Sequence, residues 1–242
     1  MTPTFPVTRW SVIAAAGAGA DRIAARAALD EICRLYWYPL YAFARRRGLG
    51  PEDAEDATQA FFATLLESNL LGEADPALGR LRSFLLKAFA RDLADARRDS
   101  TRQKRGGTAA LIPLDFEEAE DRYQKEPAGA EPVHQFEVMW AAVVLASAIR
   151  QVESDYFASG RGLLFSTLRP FLGSVAGAPP DPTRLAQELG LSDPAFRQAL
   201  SRLRSRFRTV LRAQIADTLR DPNEETIDDE LRSLQAVLAA KL

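Results

Sequence analysis

Apolar residues recur at three- and four-residue spacing through block after block of this chain, while strand-like alternation is weak throughout. That period puts one apolar stripe on each of several helices and leaves little for a sheet, so the expected fold class is all-α. Asp21–Arg47 reads as one long helix or two close ones, with Ile23, Leu29, Ile32, Leu35, Tyr36, Leu40 and Phe43 on its apolar face. Gly48-Leu-Gly-Pro51 ends it, glycine serving as the C-cap and proline suiting the first turn of the next helix. Further helices are expected over about Pro51–Leu70 and Leu81–Arg105. Gly106-Gly107, three prolines and the acidic run Asp115–Asp121 mark 106–134 as an irregular linker with one apolar anchor, Leu111–Leu114. Helices are then expected over Val133–Asp155, Leu163–Leu172, Thr183–Gly190, Ser192 to about Leu219, and Asp228–Leu242. The layout is two helical domains, at 25–105 and 135–219, joined by the linker and flanked by extensions at 1–24 and 220–242.

The formal net charge of −2 over 242 residues excludes a uniformly basic nucleic-acid coat, but local patches set the field a phosphate meets. One cysteine and one histidine cannot build a Cys/His zinc site or an internal disulfide. Cys33 lies in an apolar helical run and reads as a core thiol. His134 beside Pro132 has no partner motif, and no phosphate-cradling glycine loop, nucleophile elbow or metal cluster is visible, so neither an enzyme nor a cofactor is expected. The N-terminal MTPTFPVTRW lacks a basic region followed by a long apolar core, and no run of about 18 apolar residues stands out. The expectation is a cytoplasmic protein without a membrane segment.

Chemistry concentrates in two segments. In the first, Pro182–Arg204, Leu185, Ala186 and Leu189 face inward, Gly190 suits a turn with positive φ, and Ser192 and Pro194 start another helix. Phe196, Leu200, Leu203 and Phe207 give that helix its inner face. Its other face carries Arg197, Gln198, Ser201, Arg202, Arg204, Arg206, Arg208 and Arg212. A helix-turn-helix sets such a helix in the major groove, where Arg and Gln read base edges and further arginines hold phosphates. A solvated arginine-rich face is the plainer alternative.

The stretch LAQELGLSDPAFRQALSRLRSRFR resembles region 4 of extracytoplasmic-function (ECF, group IV) sigma factors, which reads the −35 promoter element. By that resemblance Arg197, Gln198, Ser201, Arg202, Arg204, Arg206 and Arg208 contact the −35 region. Ala195–Ala199 departs from the Thr-Val-Lys-Ser-Arg common at the entry to the recognition helix.

In the second segment, Glu52, Asp53, Glu55 and Asp56 crowd the first turns of a helix whose stripe is Ala54, Ala57, Phe61, Leu65 and Leu66. Compensation of the helix dipole accounts for part of this. Four carboxylates in five positions also make an acidic patch for a basic partner. The segment is similar to the D-A-E-D-x-x-Q-x-x-F element of ECF region 2.2, which binds the coiled coil of the polymerase β′ subunit. The resemblance carries Asp53, Asp56, Gln59 and Phe62 over as polymerase contacts. Upstream, CRLYWYPLYAFARRRG looks like region 2.1, with its aromatics read as packing. The helix from Arg80 corresponds to regions 2.3 and 2.4, which separate the strands and recognise the −10 element. Its −10 contacts are then Arg80, Arg82, Phe84, Lys87, Arg91, Arg97 and Arg98; Phe84 stands where the family usually has Trp, and Arg91-Asp92 where Arg-Asn is common.

The resemblance covers roughly 25–215. It implies a region 2 bundle and a region 4 helix-turn-helix joined by an acidic linker. The implied partners are core RNA polymerase, through the β′ coiled coil and the β flap, and promoter DNA. The flanking TRWSVI and Gln214–Pro222 stretches are similar to a long subgroup often found with Ser/Thr kinases, which makes a kinase or an anti-sigma factor the expected regulator. Thr58 is the candidate phosphosite, against the plainer reading of a surface threonine; the last helix is expected to cover region 4. Two other functions fit parts of the pattern: a helix-turn-helix regulator that does not load polymerase, and a sigma-like interaction protein.

Overall fold

In a computed structural model, residues 22–67, 80–99, 116–126, 131–172, 181–219 and 221–239 are described. Among them there is no strand, and the fold is all-α. The helices are α1 (Arg22–Arg46), α2 (Pro51–Glu67), α3 (Leu81–Asp99), α4 (Phe116–Gln124), α5 (Pro132–Ala158), α6 (Gly162–Leu168), α7 (Pro182–Glu188), α8 (Asp193–Asp217) and α9 (Glu224–Ala239); a 3₁₀ turn, Arg169–Leu172, follows α6.

The chain divides into two compact units, Met1–Val143 with Ile215–Leu242, and Val144–Gln214. This differs from the division read from the sequence. Of the expected irregular linker, 116–124 is helical and Pro132 already begins α5; Gly106-Gly107 and Leu111–Leu114 lie outside the described residues. The last helix belongs to the first unit.

In the first unit, α1 packs on α2 and α3. Phe43, Phe61 and Phe89 meet there as tilted rings, 5.1 Å between the centroids of Phe61 and Phe89, and Leu40, Phe62 and Leu85 fill the same core. Cys33 is buried, and burial pushes its thiol up to about 12, as a core thiol requires. Helix α4 lies along the end of α1 through polar groups. Tyr41 and Tyr38 donate to Glu120 and Glu126, Arg45 reaches both oxygens of Glu120 (2.9 and 3.1 Å), and Arg122 lies over the Tyr38 ring. Burial pushes the Glu120 carboxyl up, but hydrogen bonds from Tyr41, Arg45 and Gln124 outweigh it and hold the group below its ordinary value.

In the second unit, Phe165, Leu168, Phe196 and Leu203 are buried, with Phe171 edge-on to Phe196. Gly162 lies close under the exposed Phe157 ring: a Cβ there would stand 2.6 Å from it, so the ring would have to shift. Helix α5, 27 residues with a mean hydropathy of 1.3 over its most apolar window, is long and apolar enough to cross a membrane by length and composition alone. Its Phe136, Met139, Trp140, Val144, Ala148 and Val152 are buried within the protein, as in a core helix.

Candidate functional site

The turn between α7 and α8 follows from its residues. Asp181 caps α7, its side chain accepting from the Thr183 amide at 3.0 Å. Gly190 adopts φ +64°, which a side chain with a Cβ takes only at a cost, and Leu191 N–H then bonds back to the Ala186 carbonyl at 2.9 Å. Ser192 accepts from the Ala195 amide at 3.4 Å and starts α8. Phe196 and Leu203 point inward, as the sequence period requires.

Arg197, Gln198, Ser201, Arg202, Arg204, Arg206 and Arg208 are all exposed on α8. Arg197, Ser201, Arg204, Ser205 and Arg208 share one face and line an open depression of about 450 Å³ with Leu200. Two of the arginines are engaged. Arg204 donates to the Phe171 carbonyl at 3.3 Å. Arg206 donates twice to Asp155, at 2.6 and 3.0 Å, and these bonds hold that carboxyl below its ordinary value.

The acidic end of α2 is also open. Glu52, Asp53 and Asp56 are exposed at a helix N-terminus, where the dipole favours them. Burial, then the charges of Asp56 and Glu52, pushes the half-buried Glu55 carboxyl above its ordinary value. Gln59 is exposed and donates to Glu55 at 2.8 Å. Phe62 is different: at 1% exposure it is a core ring, and as placed it cannot touch a partner. Thr58 is fully buried with its hydroxyl donated to the Ala54 carbonyl at 2.7 Å, so it is neither a surface threonine nor open to a kinase.

Helix α3 departs furthest from the expected −10 surface. Lys87 and Arg91 are exposed, and Arg97, also exposed, donates to the Arg47 carbonyl. The side chain of Arg98 lies outside the described residues. Phe84 is buried, which removes it as a stacking platform in this conformation. Arg82, 3% exposed, is enclosed by Glu137 of α5 (2.6 Å) and Glu230 of α9, donates to the Ser233 hydroxyl at 3.0 Å, and lies over the Trp140 ring. Burial pulls its pKa down, opposed by the charge of Glu137. Arg80 is half-exposed and pairs with Glu230 at 3.0 Å. The inward register of Arg82 was legible in principle, since it follows Leu81 and precedes Phe84 and Leu85 in an apolar run. Glu230 carried a similar signal, falling between the buried Ile227 and Leu234 on one face of α9.

No group of His, Cys, Asp and Glu able to hold a metal ion occurs among the described residues. Comparisons with protein-family models, with curated proteins and with solved structures find no match.

Proposed function

We propose that this chain is an ECF-type sigma factor: it binds core RNA polymerase and directs it to promoter DNA, as a binding subunit without catalysis of its own. The observation that carries the reading is the α7–turn–α8 unit, a capped helix, a positive-φ glycine and a recognition helix with seven exposed residues that can reach bases and phosphates. Arg197, Gln198, Ser201 and Arg202, in the N-terminal half of α8, are assigned to base edges; Arg204 and Arg208 are assigned to phosphates. Glu52, Asp53 and Asp56, with Gln59, form the acidic face assigned to the β′ coiled coil, where a basic partner relieves their mutual repulsion. Lys87, Arg91 and Arg97 are exposed cations of α3 assigned to the −10 strand. A β-flap contact for the second unit, a cytoplasmic location, and regulation by an anti-sigma factor or a Ser/Thr kinase at a site other than Thr58 belong to the same proposal.

Run-off transcription with core polymerase tests it. Asp53→Ala/Asp56→Ala is expected to lose transcription through loss of core binding, and Arg197→Ala/Arg202→Ala to lose promoter selectivity. Unchanged transcription from both rejects the assignments. The burial of Phe62, Arg82 and Phe84 favours a second reading, a helix-turn-helix regulator that never loads polymerase. Promoter-length DNA bound with full affinity, together with no retention of core polymerase on the immobilised chain, would select that reading.

A further inference from the structure

The pairing of α9 with α3 has a chemistry of its own. Glu230 is 1% exposed and faces two arginines at once, Arg80 at 3.0 Å and Arg82. A carboxylate and a phosphate diester present similar paired anionic oxygens to a guanidinium, so Glu230 offers these arginines what a nucleic-acid backbone offers. The rest of the hold on α9 is modest: Ile227 and Leu234 are its buried apolar side chains, while Leu231, Val237 and Leu238 are half-buried. Asp229, one residue from Glu230, is exposed and pairs within the helix, with Arg232. A helix held by few buried apolar side chains belongs to the part of a fold that opens first. Opening rehydrates Glu230 and frees Arg80, which recurs at helical spacing with the exposed Lys87 and Arg91, while Arg82 keeps its pair with Glu137.

We propose that α9 is an internal competitor for nucleic acid, closing the start of α3 through Glu230 until single-stranded DNA displaces it. The inference rests on the assignment of α3 as a DNA-binding helix. It accounts for Arg80 being paired with a buried carboxylate in a segment that otherwise reads as a DNA contact.

The test uses the full-length chain and a labelled, A·T-rich single-stranded DNA oligonucleotide at low salt, with anisotropy for affinity and hydrogen exchange for α9. Glu230→Gln is expected to bind about tenfold more tightly than wild type. Asp229→Asn, which removes the same charge from the exposed face, is expected to match wild type. In wild type, DNA is expected to strip protection from the α9 amides. Should Glu230→Gln lose its cooperative melt, Glu230→Asp replaces it, since the shorter side chain withdraws the carboxylate while keeping its charge. Equal binding by wild type and variant, with α9 still protected in the complex, overturns the gate and leaves the role of α3 standing. Absence of binding by every variant, with α9 released in Glu230→Gln, overturns the DNA assignment of α3, and the gate falls with it.

Discussion

On α2, Asp56 is exposed while Phe62 is buried, and the two residues call for different experiments. Phe62→Ala empties a core position and is expected to cost about 3–5 kcal/mol of stability in chemical denaturation. Asp53→Ala/Asp56→Ala removes like charges from a solvated surface and is expected to change stability by no more than about 0.5 kcal/mol per residue. A loss of polymerase binding by the second variant, with its melt intact, separates contact from folding. Arg82 belongs with Phe62. Arg82→Met leaves Glu230 with Arg80 alone and removes the partner of Glu137, for an expected loss of about 1–3 kcal/mol, read from the same denaturation curves. At this scale the sequence was informative about outward residues and less so about inward ones. The period along α3 tells which side of that helix is apolar, but not that α5 and α9 close over it and bring two carboxylates. Those partners lie 55 and 148 positions further along the chain, beyond any local pattern.

Helices α7 and α8 were legible almost residue by residue, because caps and turns are local chemistry. Gly190 shows this: its φ of +64° was foreseeable from a glycine between two amphipathic runs. Gly190→Val is expected to destabilise the chain by about 1–2 kcal/mol, measured by thermal melting, since a branched side chain resists the left-handed region. The arginines of α8 are not equivalent as an element. Arg206 is committed to Asp155, whereas Arg197, Arg204 and Arg208 line one face. Arg208→Ala is expected to weaken DNA binding at all sequences and to lower the salt slope by about one. Arg206→Ala is expected to change it less, and the reverse order would contradict the assigned stripe. Helix α4 was not legible. An acidic run between glycines and prolines reads as solvated loop, and the partners that favour a helix there include Tyr38, Tyr41, Arg45 and Arg46, far upstream.

For the whole molecule, charge pairing predicts how stability responds to pH. Glu120 in the first unit and Asp155 in the second both have carboxyls held below their ordinary values. A depressed carboxyl contributes stability that is fully present above its unfolded pKa and is lost as pH falls through the folded one. Stability is therefore expected to be flat with respect to these groups near neutral pH and to fall in acid below about pH 4. Glu120→Gln is expected to shallow that fall in melting experiments across the acid range; an unaltered profile would show that Glu120 contributes none of it.

The acidic tip of α2 is the surface proposed to engage core RNA polymerase. Titration of labelled full-length chain with core RNA polymerase, read by fluorescence anisotropy, addresses this directly. Saturable binding by wild type, abolished in Asp53→Ala/Asp56→Ala and retained in Arg197→Ala/Arg202→Ala, is the predicted result. Equal binding by all three proteins, or none by any, would contradict it.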